Sequence, residues 1–191
     1  MTAAEKKQLA VTACKVRMGV IEGIHAAKAG HPGGSLSAAA GMAKGAKFLN
    51  KDINVYSLLG DGELAEGQIW EATMFAAHYK LDNLCIIVDI NGLQIDGRTC
   101  DVMNTEPVDA KFAAFGCDVV KVNGHDFQEL EDAFAKFHGT GKPTAILMTT
   151  TKGKGVSYME DQAGWHGKAP NDEEYAQGMA ELAAARAALE V

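Results

Sequence analysis

Two periodicities alternate along this chain. Over about residues 3–29 apolar positions recur at helical spacing, with Leu9, Val16, Val20 and Ile24 near one face. Gly30-His31-Pro32-Gly33-Gly34-Ser35 breaks that pattern, and His31, placed before a proline, is biased towards extended backbone. An alanine-rich helix is predicted over about 36–49. Asn50-Lys51-Asp52 then turns into a short apolar strand at 55–59. After a glycine-punctuated turn at 60–66 comes a helix over about 67–79, with Ile69, Trp70, Thr73, Met74 and Ala77 on its predicted buried side. Residues 84–89 are almost continuously apolar, as in a central parallel strand covered on both faces. A second glycine-rich loop at 90–97 leads to a short helix near 108–115. A strand at 117–122, a helix over 126–138 with Asp126 as N-cap, and a strand at 144–150 follow. A long loop reaches Pro170, and Asn171 caps a last helix to about residue 189, striped by Met179, Leu182 and Leu189.

Strands alternating with helices predict an α/β fold: a parallel sheet with helices on both faces. Such sheets bind ligands beyond the carboxyl ends of their strands. Two residues stand at that edge. Asp61 lies in Gly60-Asp61-Gly62-Glu63, directly after the first strand, and Asn91 follows the second, about thirty residues on. The glycines let backbone approach a ligand closely, and a following helix N-terminus favours an anion. A carboxylate beside an anion-binding helix end calls for a cation between them. Mg²⁺ takes about six oxygen ligands. Asp61 offers a carboxylate, Asn91 an amide oxygen, and the turn after it a main-chain carbonyl, so the pattern points to a metal–diphosphate site. Gly-Asp-Gly and Asn-Gly are also ordinary turn formers. Their pairing at matched strand ends is what favours the site.

Composition narrows the partners. A chain of 191 residues, 47% hydrophobic and 23% charged, fits one soluble domain over residues 1–191. Its net charge of −7 argues against nucleic acid, which needs a basic surface. Cys14, Cys85, Cys100 and Cys117 form no C-x-x-C pair and read as small buried hydrophobes in a reducing compartment. The first residues lack the apolar core of a signal peptide, and no apolar run is long enough for a membrane span. A cytoplasmic protein with no membrane partner is expected.

Gly60-Asp61-Gly62 followed by Asn91 resembles the thiamine diphosphate fingerprint. Four stretches narrow the resemblance: 30–35, 60–67 (Gly-Asp-Gly-Glu-Leu-Ala-Glu-Gly), 91–97 (Asn-Gly-Leu-Gln-Ile-Asp-Gly) and 165–170 (Trp-His-Gly-Lys-Ala-Pro). Together they are similar to the N-terminal, diphosphate-binding domain of transketolases, above all the separately encoded N-terminal subunit of split transketolases. The resemblance implies a thiamine diphosphate-binding fold, with thiamine diphosphate and Mg²⁺ (or Ca²⁺) as cofactors. It implies Asp61 and Asn91 as side-chain metal ligands and Leu93 as the carbonyl ligand. Gly60, Gly62 and Glu63 would bind the cofactor, Gly62 through its N–H to the diphosphate. His31 and His166 would line the cofactor and sugar channel and assist proton transfer, and Glu66 would couple two active sites near a subunit interface.

The implied activity is transfer of a two-carbon ketol unit between sugar phosphates, as in the pentose phosphate pathway. It requires a separately encoded C-terminal subunit that binds the pyrimidine, in an expected α₂β₂ assembly. The chain also departs from the family. After Ser35-Leu36-Ser37-Ala38-Ala39 the family continues through several tens of residues that carry a Lys-Gly-His and a Gly-Ser-Leu-Gly-Gln-Gly motif. Here Ala40-Gly41-Met42-Ala43 follows at once. A shortened, foldable domain is expected. Its alternatives are a non-catalytic, partner-stabilising subunit, or another thiamine diphosphate enzyme such as deoxyxylulose-phosphate synthase.

Overall fold

The computed structural model describes residues 1–27, 36–137 and 140–190. The Gly30–Ser35 motif, His31 included, and His138 lie outside them. The chain divides into two compact units: residues 33–94 with 98–150, and residues 1–32 with 95–97 and 151–191.

The 33–150 unit is built on a parallel sheet of four strands, β1 (Val55–Gly60), β2 (Leu84–Ile90), β5 (Asp118–Asn123) and β6 (Thr144–Thr149), in the order β1-β2-β6-β5. Two short strands, β3 (Leu93–Gln94) and β4 (Gly97–Arg98), carry the loop after β2. Alternation along β1 sends Val55, Ser57 and Leu59 into one face and leaves Tyr56 and Leu58 on the other. The first face carries the larger core. There α2 (Leu36–Phe48), α3 (Gly67–His78) and α5 (Val108–Ala114) bury Leu36, Ala43, Ile69, Ala76 and Phe112 against Leu59, Ile86 and Val88. On the second face α6 (Phe127–Ala135) brings Ala133 onto Cys85, Val122 and Ile146, and Tyr56 packs edge-on against Phe134. The predicted parallel sheet with helices on both faces is what the protein forms.

α6 starts where its cap dictates. The Asp126 carboxylate accepts from Gln128 N–H at 2.8 Å and Glu129 N–H at 3.2 Å. Asp126→Ala is expected to lower stability by about 1 kcal/mol, read as a shift in the urea midpoint at constant slope.

α3 differs from the expected face. Its buried residues are Ile69, Ala72, Thr73 and Ala76, Trp70 is half-buried, and Met74 is 56% exposed. The helix is apolar almost all round, so periodicity alone does not choose the face. Close packing on α2 selects the small side chains, and the larger Met74 is turned out.

The other unit pairs α1 (Ala3–Ala27) with α7 (Asp172–Glu190). Ile21, Val156, Met159 and Leu182 form its core. Here too the predicted stripe shifts: Val11, Cys14 and Ile21 are buried, whereas Leu9 and Val16 are exposed. Asn171 caps α7 as expected, through a capping box. Its side chain accepts from Glu174 N–H at 2.8 Å, and the Glu174 carboxylate accepts from Asn171 N–H at 2.8 Å. The loop before it is strapped to the helix by Ser157, whose N–H and hydroxyl both donate to the Glu181 carboxylate, at 2.7 and 2.6 Å. Those bonds, the hydroxyl's first, hold the Glu181 carboxyl below its ordinary range.

Candidate active site at the carboxyl ends of β1 and β2

The register of the sheet makes the site. Gly60 of β1 lies beside Asp89 of β2, so the residues that leave the two strands are neighbours. Asp61 N–H donates to Asp89 O at 3.1 Å, carrying the ladder one residue past β1. The Asp61 side chain then joins the two loops. One carboxylate oxygen accepts from Gly62 N–H at 2.9 Å, and the other from Gly92 N–H at 2.7 Å. Asn91, between Gly92 and the end of β2, turns its side-chain oxygen onto Leu93 N–H at 3.0 Å. Leu93 is buried and anchors that turn. Glu63 reaches back to accept from Gly60 N–H at 3.3 Å, which closes the first loop on itself.

Asp61 is 3% exposed. Burial pushes its carboxyl above the ordinary range. The Gly92 and Gly62 N–H groups oppose that, and the nearby Asp89 charge adds to it. Among the described residues no basic side chain acts on Asp61 strongly enough to offset its burial. A buried carboxylate held by backbone donors, beside an amide oxygen and a run of main-chain carbonyls, is a set of hard oxygen donors, which suits Mg²⁺ or Ca²⁺ rather than a soft metal. Among the described residues no three His, Cys, Asp or Glu side chains gather as a metal cluster. Any cation here therefore leans on amide and carbonyl oxygens and on a ligand's own oxygens.

Residues 43–187 match the model of the transketolase thiamine diphosphate binding domain. This chain belongs to that family. Its sequence is 43% identical over 150 residues to one of the subunits of the apulose-4-phosphate transketolase of Actinobacillus succinogenes, covering 78% of this chain and 54% of that protein. Against the 6-deoxy-6-sulfo-D-fructose transketolase subunit of a Clostridium species, identity is 40% over 154 residues, covering 80% of this chain and 56% of that one. Among solved structures, the Campylobacter jejuni transketolase superposes with a TM-score of 0.73 at 30% identity, over 81% of this chain and 27% of the other. The chain spans about half the length of the curated relatives it matches.

Within the family's domain the expected residues separate into groups. Gly60, Asp61, Gly62, Glu63, Asn91 and Leu93 come together in the 33–150 unit, as described above. Glu66 precedes α3 and is exposed. Its carboxylate accepts from Gln68 Nε2 at 3.1 Å, and Gln68 in turn accepts from the Ser37 hydroxyl at 2.6 Å. His166 belongs to the other unit, where it ends a 3-10 turn at Ala163–Trp165 and is half-buried. Beside it Lys168 lies 4.0 Å over the Trp165 ring and pairs with Glu174 at 2.8 Å.

Three residues around this turn have no individual role in the predicted site. Gly92 supplies the N–H that ties the loops. Buried Thr105 donates its hydroxyl to Asp61 O at 3.4 Å, and Lys111 Nζ donates to Thr105 O at 2.7 Å. Gln94 lies across Gly62. Gly92 and Gln94 belong to the 91–97 motif, which marks the loop without giving either residue a contact, and no sequence signal marks Thr105.

The cysteines divide as well. Cys14, Cys85 and Cys117 are buried as expected, and burial pushes the Cys85 and Cys117 thiols up to about 12. Cys100 is exposed, which corrects the expectation for that residue. It lies in a four-residue helix, α4 (Thr99–Val102), with no core around it. Titration of the native protein with Ellman's reagent at pH 8 is expected to label Cys100 rapidly, and Cys85 and Cys117 only in denaturant.

Proposed function

We propose that this chain is the N-terminal, diphosphate-binding subunit of a transketolase, working with a separately encoded C-terminal subunit. One observation carries the reading: a buried carboxylate, Asp61, bonded across adjacent strand ends to the Asn91 loop through Gly92 N–H at 2.7 Å. Membership of the transketolase domain family supports it, as do relatives that are themselves named as single subunits of transketolases. A family match that runs through both compact units also supports a single domain.

On this reading the Asp61 and Asn91 side chains and the Leu93 carbonyl hold Mg²⁺ (or Ca²⁺). Gly62, between Gly60 and Glu63, faces the diphosphate. Thiamine diphosphate, when bound, supplies the carbanion chemistry of ketol transfer between sugar phosphates. The chain's own residues position, shield and move protons. His31 and His166 exchange protons with sugar hydroxyls, the acid–base work to which an imidazole is suited. Glu66 communicates with a second active site in a cytoplasmic α₂β₂ assembly that serves the pentose phosphate pathway. A non-catalytic, partner-stabilising role is the competing reading, and one observation favours it: Ala39 runs straight into Ala40-Gly41-Met42, without the segment that carries the Lys-Gly-His motif.

Calorimetric titration of thiamine diphosphate with Mg²⁺, with and without a C-terminal transketolase subunit from the same organism, separates the two. Binding that needs the partner and is lost in Asp61→Ala, followed by ketose-to-aldose transfer, is the expected outcome. A formed complex that binds no thiamine diphosphate would overturn the enzymatic reading.

A further inference from the structure

The two edges of the sheet are unlike. β5 ends it on one side and carries charge: Asp118 pairs with Lys142 at 3.5 Å, and Lys121 with Asp109 at 2.8 Å. Charges of this kind keep an edge strand from pairing with another chain. β1 ends it on the other side, and Val55-Tyr56-Ser57-Leu58-Leu59-Gly60 holds no charge and no proline. Val55 N–H donates to Asn83 O at 2.9 Å and Asp61 N–H to Asp89 O at 3.1 Å, so alternation turns the main-chain groups of Val55, Ser57 and Leu59 to β2. Those of Tyr56 and Leu58 face outward, and among the described residues no strand lies beyond them. Gly60 N–H, next in that row, donates to Glu63, which ends the free edge after Leu58.

The side chains along this edge are unfilled on both faces. Tyr56 and Leu58 project from the α6 face, 53% and 57% exposed. Ser57 projects from the other face, where it is 5% exposed and its hydroxyl makes no hydrogen bond among the described residues. α2 packs there over β1 and β2, and it is the outermost helix, because Trp70 of α3 meets Phe112 of α5 at 5.1 Å on the far side. The flank of α2 that faces α3 is marked by the Ser37–Gln68 hydrogen bond and by Lys44 over the Tyr79 ring. By the helical period Met42 and, one residue past the helix, Leu49 lie on the opposite flank, 65% and 64% exposed.

We propose that the free edge of β1 is an interface between two copies of this chain, with β1 paired antiparallel to β1 of the second copy about a twofold axis at Ser57. The edge is complementary to itself. Rotation about that axis brings Tyr56 of one copy opposite Leu58 of the other, and the two exchange both of their outward main-chain hydrogen bonds. Tyr56 then packs on Leu58 as an aromatic–aliphatic cross-strand pair. The two Ser57 residues stand opposite each other with Cβ atoms about 5 Å apart, within reach of a hydroxyl–hydroxyl hydrogen bond. The two α2 helices come side by side at about 10 Å, the separation of packed helices, with Met42 and Leu49 between them. Tyr56, Leu58, Met42 and Leu49 together expose on the order of 450 Å² per copy, so with the strand edge a pair covers about 1,000 Å², the size at which specific interfaces begin. Pairing occupies the uncharged edge of both copies, so the assembly closes at two. This surface goes beyond the cofactor reading and does not depend on it.

The test is sedimentation equilibrium of the whole chain with amide hydrogen exchange. At micromolar concentration a species of twice the 20.2 kDa chain mass is expected. Leu58→Lys sets a charge against Tyr56 of the other copy and is expected to weaken association about 30-fold or more. Ser57→Ala removes one hydroxyl pair and is expected to weaken it about fivefold. Met74→Lys, which changes an exposed apolar residue of α3 away from this edge, is expected to leave it within twofold. The Tyr56 and Leu58 amides are expected to be protected in the wild-type dimer and to exchange freely on dilution, a readout that needs no variant to fold. A wild-type monomer at every soluble concentration would overturn the proposal. So would a dimer that Leu58→Lys leaves within twofold, or one in which these two amides exchange as in the monomer. Protection of the amides that appears only with a C-terminal transketolase subunit would also overturn it, and would give the edge to that partner instead.

Discussion

Asp61→Ala is expected to abolish magnesium–thiamine diphosphate binding while leaving the sheet folded. Among the described residues Asp61 is the one carboxylate that joins both loops of the site, accepting from Gly62 N–H at 2.9 Å and from Gly92 N–H at 2.7 Å. Outer-shell partners of a metal typically contribute 10- to 100-fold in affinity, so removal of the sole charged ligand should exceed about 100-fold. The fold responds differently. Two backbone donors lose their acceptor, at about 1 kcal/mol each. Against that, a carboxylate whose charge burial already disfavours is gone. The two effects oppose, and the unfolding midpoint should move little. Asp61→Asn sharpens the test, because it keeps the size, removes the charge and leaves one N–H facing an amide NH₂. Titration calorimetry beside urea unfolding measures both quantities. Either variant retaining wild-type affinity would remove the metal from this turn, and a variant that unfolds would show the carboxylate to be structural.

The sequence reading reached Asp61 and Asn91 because their placement is a property of chain order: a turn residue after an apolar strand, then the same again one helix later. Parallel register makes such positions neighbours, and the Gly60–Asp89 pairing does so here. Asp126 and Asn171 were legible for a similar reason, since a cap is a local contact between residues two or three apart. Thr105 was not, because its hydroxyl meets Asp61 O across forty-four residues, where Lys111 of α5 donates to its main-chain oxygen at 2.7 Å. Helix faces fell between these cases. α1 and α3 carry apolar residues on more than one side, so the buried face is chosen by the partner: α7 for α1, and α2 with the sheet for α3. Met74 and Val16 are consequently outside, while Ala72 and Cys14 are inside. His166 remains a different kind of reading. It was found by its motif, and its half-buried place at the end of a 3-10 turn follows from the strapped loop around it rather than from any periodicity.

Gly153→Ala is expected to destabilise the α1–α7 unit by about 3 kcal/mol or more. Two independent costs meet at this position. Gly153 has φ +71, where an L-residue pays of order 1–3 kcal/mol. A Cβ there would also stand 2.5 Å from the main-chain oxygen of Met159 and 2.6 Å from its carbonyl carbon. Those atoms are backbone, and they cannot swing aside as a side-chain tip can. Val156 N–H also donates to Gly153 O at 3.1 Å, so displacing this turn pulls on Val156 and Met159, two of the four buried core residues of the unit. Overpacking of this kind adds a further 1–3 kcal/mol or so. Gly164→Ala is the matched control, because a Cβ there meets nothing within 4 Å. The two tryptophans give separate reporters, Trp70 in the sheet unit and Trp165 beside Tyr158 in this one. In a Trp70→Phe background, Trp165 fluorescence should report an early thermal transition for Gly153→Ala and a wild-type transition for Gly164→Ala. Coincident transitions for the two variants would mean that the 152–161 loop relaxes freely, and that it does not hold the segment carrying His166 in place.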